Sequence, residues 1–389
     1  MPADQTVAMV PAGGTSKRIL SIDALRGLVI LLMLVDHTRE FFFLHAQVSD
    51  PMDVAATSPG LFFSRMAAHL CAPVFVALTG LATWLYATPR GGARAASSFL
   101  VRRGLFLIVL EWTVVNFAWN FDLLPPMVFL QVIWAIGLSM LALAALVHLP
   151  RALLIAVGLA IVLGHNLLDP VHFAAGEPGH ALWAVLHDRG VIDMPWGGQV
   201  RTSYPLLPWI GVIALGYAIG PWFAKGADAG WRHRALVATG LLALIGFALL
   251  RVINLYGEPT PWAVGETGLQ TLMSFVNVTK YPPSADFLLL TLGCGALLLA
   301  AFEALPARLA SMLAVFGSAP LFFYILHLYL LHGLNRLCGL IAGTDGLVSV
   351  PNVGSIWLLS ALVAVPCWFA CHRFGAIKRQ SGAWWMKYL

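Results

Sequence analysis

The segment Arg18–Phe43, RILSIDALRGLVILLMLVDHTREFFF, reads as a membrane-crossing helix, yet it carries Asp23, Arg26, Asp36 and His37. Ionisable groups in a bilayer span cost roughly 2.5–3.5 kcal/mol each on insertion scales unless paired or hydrated, so they mark a working helix rather than an anchor. Arg26 and His37 are 11 residues apart, close to three full turns, which puts them on one face roughly 16 Å apart along the axis. Asp23, three residues before Arg26, can pair with it. That pair is either a topology-setting ion pair or the inner end of a polar stripe. Asp36 and His37 form the outer end, either as an interfacial cap or as a carboxylate beside an imidazole. Histidine takes and returns a proton near neutral pH, so the chemistry suggested is proton abstraction.

Other candidates lie at a similar depth. His45 follows the first span, His69 lies in the outer half of the second, and His165 closes the fifth. His327 and His332 occupy the outer half of the ninth, with Tyr324 one turn before His327. Glu111 sits in the middle of LFLIVLEWTVVNFAWN, where a carboxylate should face the bundle interior. It reads as a salt bridge to Arg26 or Arg251, or as a proton relay, with Asn116 and Asn120 extending from it towards the outer surface. In the loop NVTKYPPSADF, Lys280 stands beside Tyr281 and two prolines. Trp183, Trp196, Tyr204, Trp209, Tyr256 and Trp262 flank the outer loops, either as an interfacial belt or as a sugar-stacking platform.

These residues must be positioned by a very apolar chain. Of 389 residues 59% are hydrophobic and only 11% charged, with mean hydropathy +0.82, against about 25% charged in a soluble domain. The fold class expected is an all-α polytopic integral membrane protein. Ten spans of roughly 20 apolar residues are read at 19–42, 60–87, 99–119, 127–148, 152–168, 204–223, 234–256, 285–302, 309–335 and 354–372. Connections on one side hold fifteen lysines and arginines, and those on the other hold four, Arg39, Arg189, Arg201 and Lys280. That bias places both termini in the cytoplasm. The outer face is then acidic and elaborated by long loops at 169–203 and 257–284, where a polar ligand would be handled. Residues 1–17 are expected to be a disordered cytoplasmic tail without a signal peptide, 18–375 the membrane domain, and 376–389 a basic cytoplasmic tail.

Several functions are excluded by what is missing from the sequence. The net charge of +5 follows membrane topology and does not suggest nucleic acid. Walker, dinucleotide-binding, GxSxG and HExxH patterns are absent. The five cysteines lie in or at the ends of apolar segments without metal-ligand spacing, so no metal is expected.

The first two spans, RILSIDALRGLVILLMLVDHTREFF through HLCAPVFVALTGLATWLY, resemble the heparan-α-glucosaminide N-acetyltransferase-like membrane proteins. SIDALRGL with a histidine about eleven residues on is similar to the opening of the wider transmembrane acyltransferase group, and the resemblance extends through PLLPWIGVIALGYAIG and TKYPPS to GSAPLFFYILHLYLLH. It implies transfer of an acyl group, usually acetyl, from cytosolic acyl-CoA to a hydroxyl or amine, commonly of a sugar, across the membrane. The implied partners are membrane lipid and an extracytoplasmic glycan or amino sugar, with a homodimer left open. The implied location is a bacterial plasma (inner) membrane. Asp36 falls where the glucosaminide enzyme has an implicated asparagine, and His45 roughly where it has a histidine; His37 matches the histidine of the wider group. Under this reading His37 or His45 is the base and Asp36 orients it. Arg26, His69, Glu111, Asn116, Lys280 and His327 are candidates for binding substrate or acyl-CoA. The competing class is a proton-coupled transporter of a small polar solute, for which inverted repeats and broken helices would be the sign.

Overall fold

A computed structural model describes residues 19–195, 197–344, 348–381, 383 and 386. The expected tail at 1–17 and Trp196 lie outside the described residues. The chain opens with α1 (Leu20–Phe42), whose buried face, including Leu25, Val29, Ile30 and Leu34, forms part of the main core. There follow α2 (Pro59–Ala68), α3 (Cys71–Ala87), α4 (Ala93–Leu110), a π-helical turn at Glu111–Val115, α5 (Asn116–Asn120) and β1 (Met127–Leu130). Next come α6 (Val132–Leu146), α7 (Arg151–Gly164), α8 (His180–Leu186), β2 (Val191–Asp193) and β3 (Gln199–Thr202). The remainder is α9 (Leu207–Ala218), α10 (Ala229–Ile253), α11 (Gly268–Val276), α12 (Ala285–Glu303), α13 (Ala307–Gly317), α14 (Pro320–Ala342) and α15 (Val353–Gln380).

Among the described residues, six helical stretches are long and apolar enough to cross a membrane: Pro59–Arg90, Arg151–Leu168, Ala229–Ile253, Ala285–Glu303, Pro320–Ala342 and Val353–Gln380. The apolar stretches Val132–Leu146, Leu207–Phe223 and Ala307–Gly317 are shorter. α1 has the length, at 23 residues, but carries Asp23, Arg26, Asp36, Arg39 and Glu40. Exposed leucines and isoleucines line α10 and α15, as lipid-facing sides require.

Lipid offers no hydrophobic drive between helices, so close backbone contact through small residues holds such bundles together. A Cβ on Gly27 of α1 would lie 2.0 Å from the Leu313 carbonyl oxygen of α13, and one on Gly317 would lie 1.8 Å from that of Asp23. α3 and α9 meet in the same way through Gly80 and Gly216.

Two expectations need correction. The span read at 309–335 is two helices, α13 and α14, parted at Ser318–Ala319. Pro320 has no N–H and disfavours a helical residue before it; Ala319 accordingly sits at φ −137°, ψ 55°. The second span, read at 60–87, is one helical stretch, Pro59–Arg90; only its hydrogen bonding lapses at His69–Leu70, where the backbone stays helical, because Pro73 cannot donate to the His69 carbonyl four residues back. Second, the chain is mostly helical but not all-α. β1 runs parallel to β3, and β2 antiparallel to it, in a three-stranded sheet of order β1-β3-β2. Met127–Leu130 is therefore a strand ahead of α6 rather than the start of a span, and the loop at 169–203 carries β2 and β3. α15 runs to Gln380.

Candidate active site

Between α1, α3, α4, α6 and α14 lies a cavity of about 510 Å³. Its lining runs from Thr79, Arg103 and Leu321 within the helices, past Asp36, His37 and Arg65, to Asp50, Arg189, Tyr204, Lys280 and Tyr281 in the loops. On α3 alone, Cys71 and Thr79 both contribute, a rise of about 12 Å along the axis. The cavity is therefore a deep channel leading from helix interior to loop face.

His37 borders this channel with its partner His327 behind it. The Nδ1–H of buried His327 donates to the Phe323 carbonyl at 2.9 Å. With both rings neutral, the His327 Nε2 is then bare and accepts from the His37 Nδ1–H at 2.7 Å. This chain leaves the His37 Nε2 without a proton, which is the state a general base needs. Trp119 and Tyr324 enclose the His37 ring edge-on at centroid distances of 5.1 and 6.0 Å. Neither the Trp119 Nε1 nor the Tyr324 hydroxyl has a well-formed hydrogen-bond partner among the described residues. The π-helical turn at Glu111–Val115 precedes Trp119 on the same helix; such turns re-aim the residues that follow and recur at functional sites.

Asp36 lines the channel but does not hold His37. Its carboxylate accepts from Arg39 Nε at 3.1 Å and pairs with Arg65. Arg39 also pairs with Glu40 and donates to Gln47 at 3.1 Å. The side-chain hydrogen bond of His37 is made to His327 and not to Asp36. Lys280 sits 5.1 Å from the Tyr281 ring, and its backbone N–H donates to the Asp50 carboxylate at 3.1 Å. Burial pushes the Asp50 carboxyl above its ordinary range, against the pull of Arg65 and Lys280. The Tyr281 hydroxyl donates to Tyr204 at 3.1 Å, and Arg189 lies over the Tyr281 ring at 5.0 Å.

The remaining candidates lie elsewhere. His45 is exposed and shares a hydrogen bond with Ser349 at 2.9 Å. Arg26 pairs with Asp23 at 3.0 Å and donates to the Leu78 carbonyl at 3.1 Å. Glu111 pairs with neither Arg26 nor Arg251. Its carboxylate accepts from the Gln131 and Trp134 backbone N–H groups at 3.3 and 3.1 Å, so it caps the start of α6. Arg251 instead donates to carbonyls of Phe275, Thr260, Ser274 and Asn277. Asn116 clamps β1, giving and taking hydrogen bonds with Phe129 at 3.2 and 3.0 Å. His69 is buried against Phe287, outside the channel lining. Of the flanking aromatics only Tyr204 lines the channel among the described residues.

Arg65, Arg103, Asp50, Trp119 and Tyr281 were missed by sequence reasoning. For Arg65 the signal was present: an arginine inside the apolar run LFFSRMAAHLCAPVF is a functional candidate on the same grounds as Asp36. Arg103 was counted only as an inner-face charge.

The catalytic-region model of heparan-alpha-glucosaminide N-acetyltransferase matches residues 18–256. The chain belongs to that family. Comparison with curated proteins gave no match. The family implies acetyltransferase activity, and the apolar helices make this member a multi-pass membrane protein. The matched region holds Asp36, His37, Arg65 and Trp119 but ends before Lys280, Tyr324 and His327.

Proposed function

We propose that this protein takes an acetyl group from cytosolic acyl-CoA and delivers it, through the channel beside α1, to a hydroxyl or amine of an extracytoplasmic, sugar-containing acceptor. The observation that carries the reading is the bare Nε2 of His37 in a channel that reaches from helix interior to outer loops. Ten crossings with cytoplasmic termini, as the charge bias suggests, put Arg103 towards the CoA side and Lys280, Arg189, Tyr204 and Tyr281 towards the acceptor. A volume of about 510 Å³ is in the range of small-molecule sites and suits a pantetheine arm with its acetyl group, leaving the nucleotide at the basic inner rim.

In this mechanism the acceptor nitrogen or oxygen attacks the thioester carbonyl while His37 Nε2 takes its proton. The carbonyl oxygen becomes an oxyanion, to which the Trp119 N–H and Tyr324 O–H can donate. Collapse of the tetrahedral centre breaks the C–S bond, and the imidazolium returns the proton to the leaving thiolate. Arg39 and Arg65 hold Asp36, which fixes the outer end of α1.

The test is acetyl transfer from isotope-labelled acetyl-CoA to amino-sugar acceptors in reconstituted vesicles. His37→Ala should bind CoA yet lose roughly 10²–10⁴ in rate, whereas His45→Ala should keep it. The reverse pattern would move the base to His45. A second reading, a proton-coupled transporter, draws on the break at Ser318–Ala319. It requires solute counterflow in vesicles without acetyl-CoA.

A further inference from the structure

A second cluster of titratable groups lies away from the channel. It includes His165 in the turn that ends α7, Asp169 just after that turn, and His187 at the end of α8. One ligand atom from each lies within 4.8 Å of the others. Asp169 Oδ1 is 3.4 Å from His187 Nε2. That is long for a hydrogen bond; the N–H on this nitrogen donates instead to the His165 carbonyl at 3.0 Å, and the His187 Nδ1, which has no well-formed hydrogen bond, is the nitrogen free to ligate. The other Asp169 oxygen accepts from Asn166 at 2.8 Å, which holds the carboxylate in place as an outer-shell partner does.

Protein groups alone do not satisfy this cluster. His187 Nε2 faces two acceptors, Asp169 and the His165 carbonyl at 3.0 Å, while its Nδ1 faces a third, Asp188, at 3.6 Å. These contacts account for the Nε2 of His187 but not for His165. That side chain is 2% exposed, neither of its ring nitrogens has a well-formed hydrogen bond, and the Pro283 carbonyl is the backbone group facing its ring. A buried imidazole with no partner is costly. A cation accepting one nitrogen, with the carbonyl taking the other N–H, removes the cost.

We propose that His165, Asp169 and His187 bind a divalent transition-metal cation of the zinc class. Two imidazoles and one carboxylate suit such an ion, and the fourth position is open to water past the 28% exposed Asp169 side chain. The metal ties the end of α7 to the long outer loop at 169–203. It is separate from the acetyl-transfer channel.

The experiment uses the full-length protein in detergent, stripped with EDTA and titrated with Zn²⁺ by calorimetry, with metal content read by mass spectrometry. The expected result is one zinc per chain and a zinc-dependent rise in Tm. Asp169→Asn, which keeps the shape, and His187→Ala should each weaken binding by at least about 100-fold, and Asn166→Ala by about 10-fold. His172→Ala, an exposed histidine outside the trio, should bind normally. If His187→Ala does not fold, Asp169→Asn decides. The proposal fails if the wild type takes up no stoichiometric zinc, or if Asp169→Asn binds it unchanged.

Discussion

His327 is proposed to act only through His37, and that makes its removal diagnostic. His327→Ala deletes the acceptor of the His37 Nδ1–H, now at 2.7 Å, and keeps the basic ring itself. A net hydrogen bond is worth about 0.5–1.5 kcal/mol, so the ring should lose the productive tautomer or orientation by roughly 2- to 12-fold. His37→Ala removes the base and should cost roughly 10²–10⁴. The assay is single-turnover acetyl transfer in vesicles at saturating acetyl-CoA, with KM and kcat separated. The loss at His327 should appear in kcat, and His327→Gln, whose side-chain oxygen can still accept from His37, should recover part of it. Equal losses at the two positions would refute the relay, because His327 would then be moving the proton itself. An active His37→Ala enzyme would refute the base assignment.

Other perturbations test the frame around the site. Arg65→Met leaves the buried Asp36 carboxylate with Arg39 alone; breaking a buried pair costs about 3–5 kcal/mol, and Asp36→Asn in the same chain should restore part of it in chemical denaturation. No recovery would mean that the two are not energetically paired. Gly317→Ala drives a methyl into the Asp23 carbonyl, 1.8 Å away, and should destabilise by about 1–3 kcal/mol or more; a neutral result would show that α1 and α13 can part freely. Burial raises the Asp50 carboxyl above its ordinary value, so the folded state holds that proton more tightly than the unfolded chain. Its contribution is full below the ordinary carboxylate range and is lost as pH rises through the raised value. Asp50→Asn should therefore flatten the fall in Tm across that weakly acidic window, and an unchanged slope would count against the buried carboxyl.

Membrane character and most helices were legible because lipid demands long apolar runs, and few other signals imitate them. The break at Pro320 was legible too, but hydropathy averaged over it. The small sheet was not: β1, β2 and β3 have three or four residues each, too short for an alternation pattern, and β1 pairs with a strand some 70 positions away. Glu111 shows the limit for single residues. Depth in a span indicates that a carboxylate needs partners, but the partners here are backbone N–H groups of α6, which have no side-chain signature.

Arg26 had two readings, and its pairing with Asp23 is the one the structure bears out, for a physical reason. The helical repeat does put Arg26 under His37 on α1, but a shared face need not border one cavity. α13 packs so tightly against the inner half of α1 that a Cβ on Gly317 would lie 3.0 Å from that of Arg26. The stripe is therefore covered below His37, and Arg26 turns to Asp23 and the Leu78 carbonyl. The channel continues inward on the other side, along α3 and α4, where Arg103 lines it. Under the proposed function, a route from cofactor to acceptor in this bundle would draw on three helices: α1 for the base, α4 for the inner cation, and α14 for the imidazole that sets the base's tautomer. This arrangement makes one more demand. Arg103→Ala should weaken CoA binding while leaving the His37 to His327 contact intact, whereas Arg26→Ala should cost stability and spare affinity; the opposite outcome would return the cofactor route to the α1 stripe.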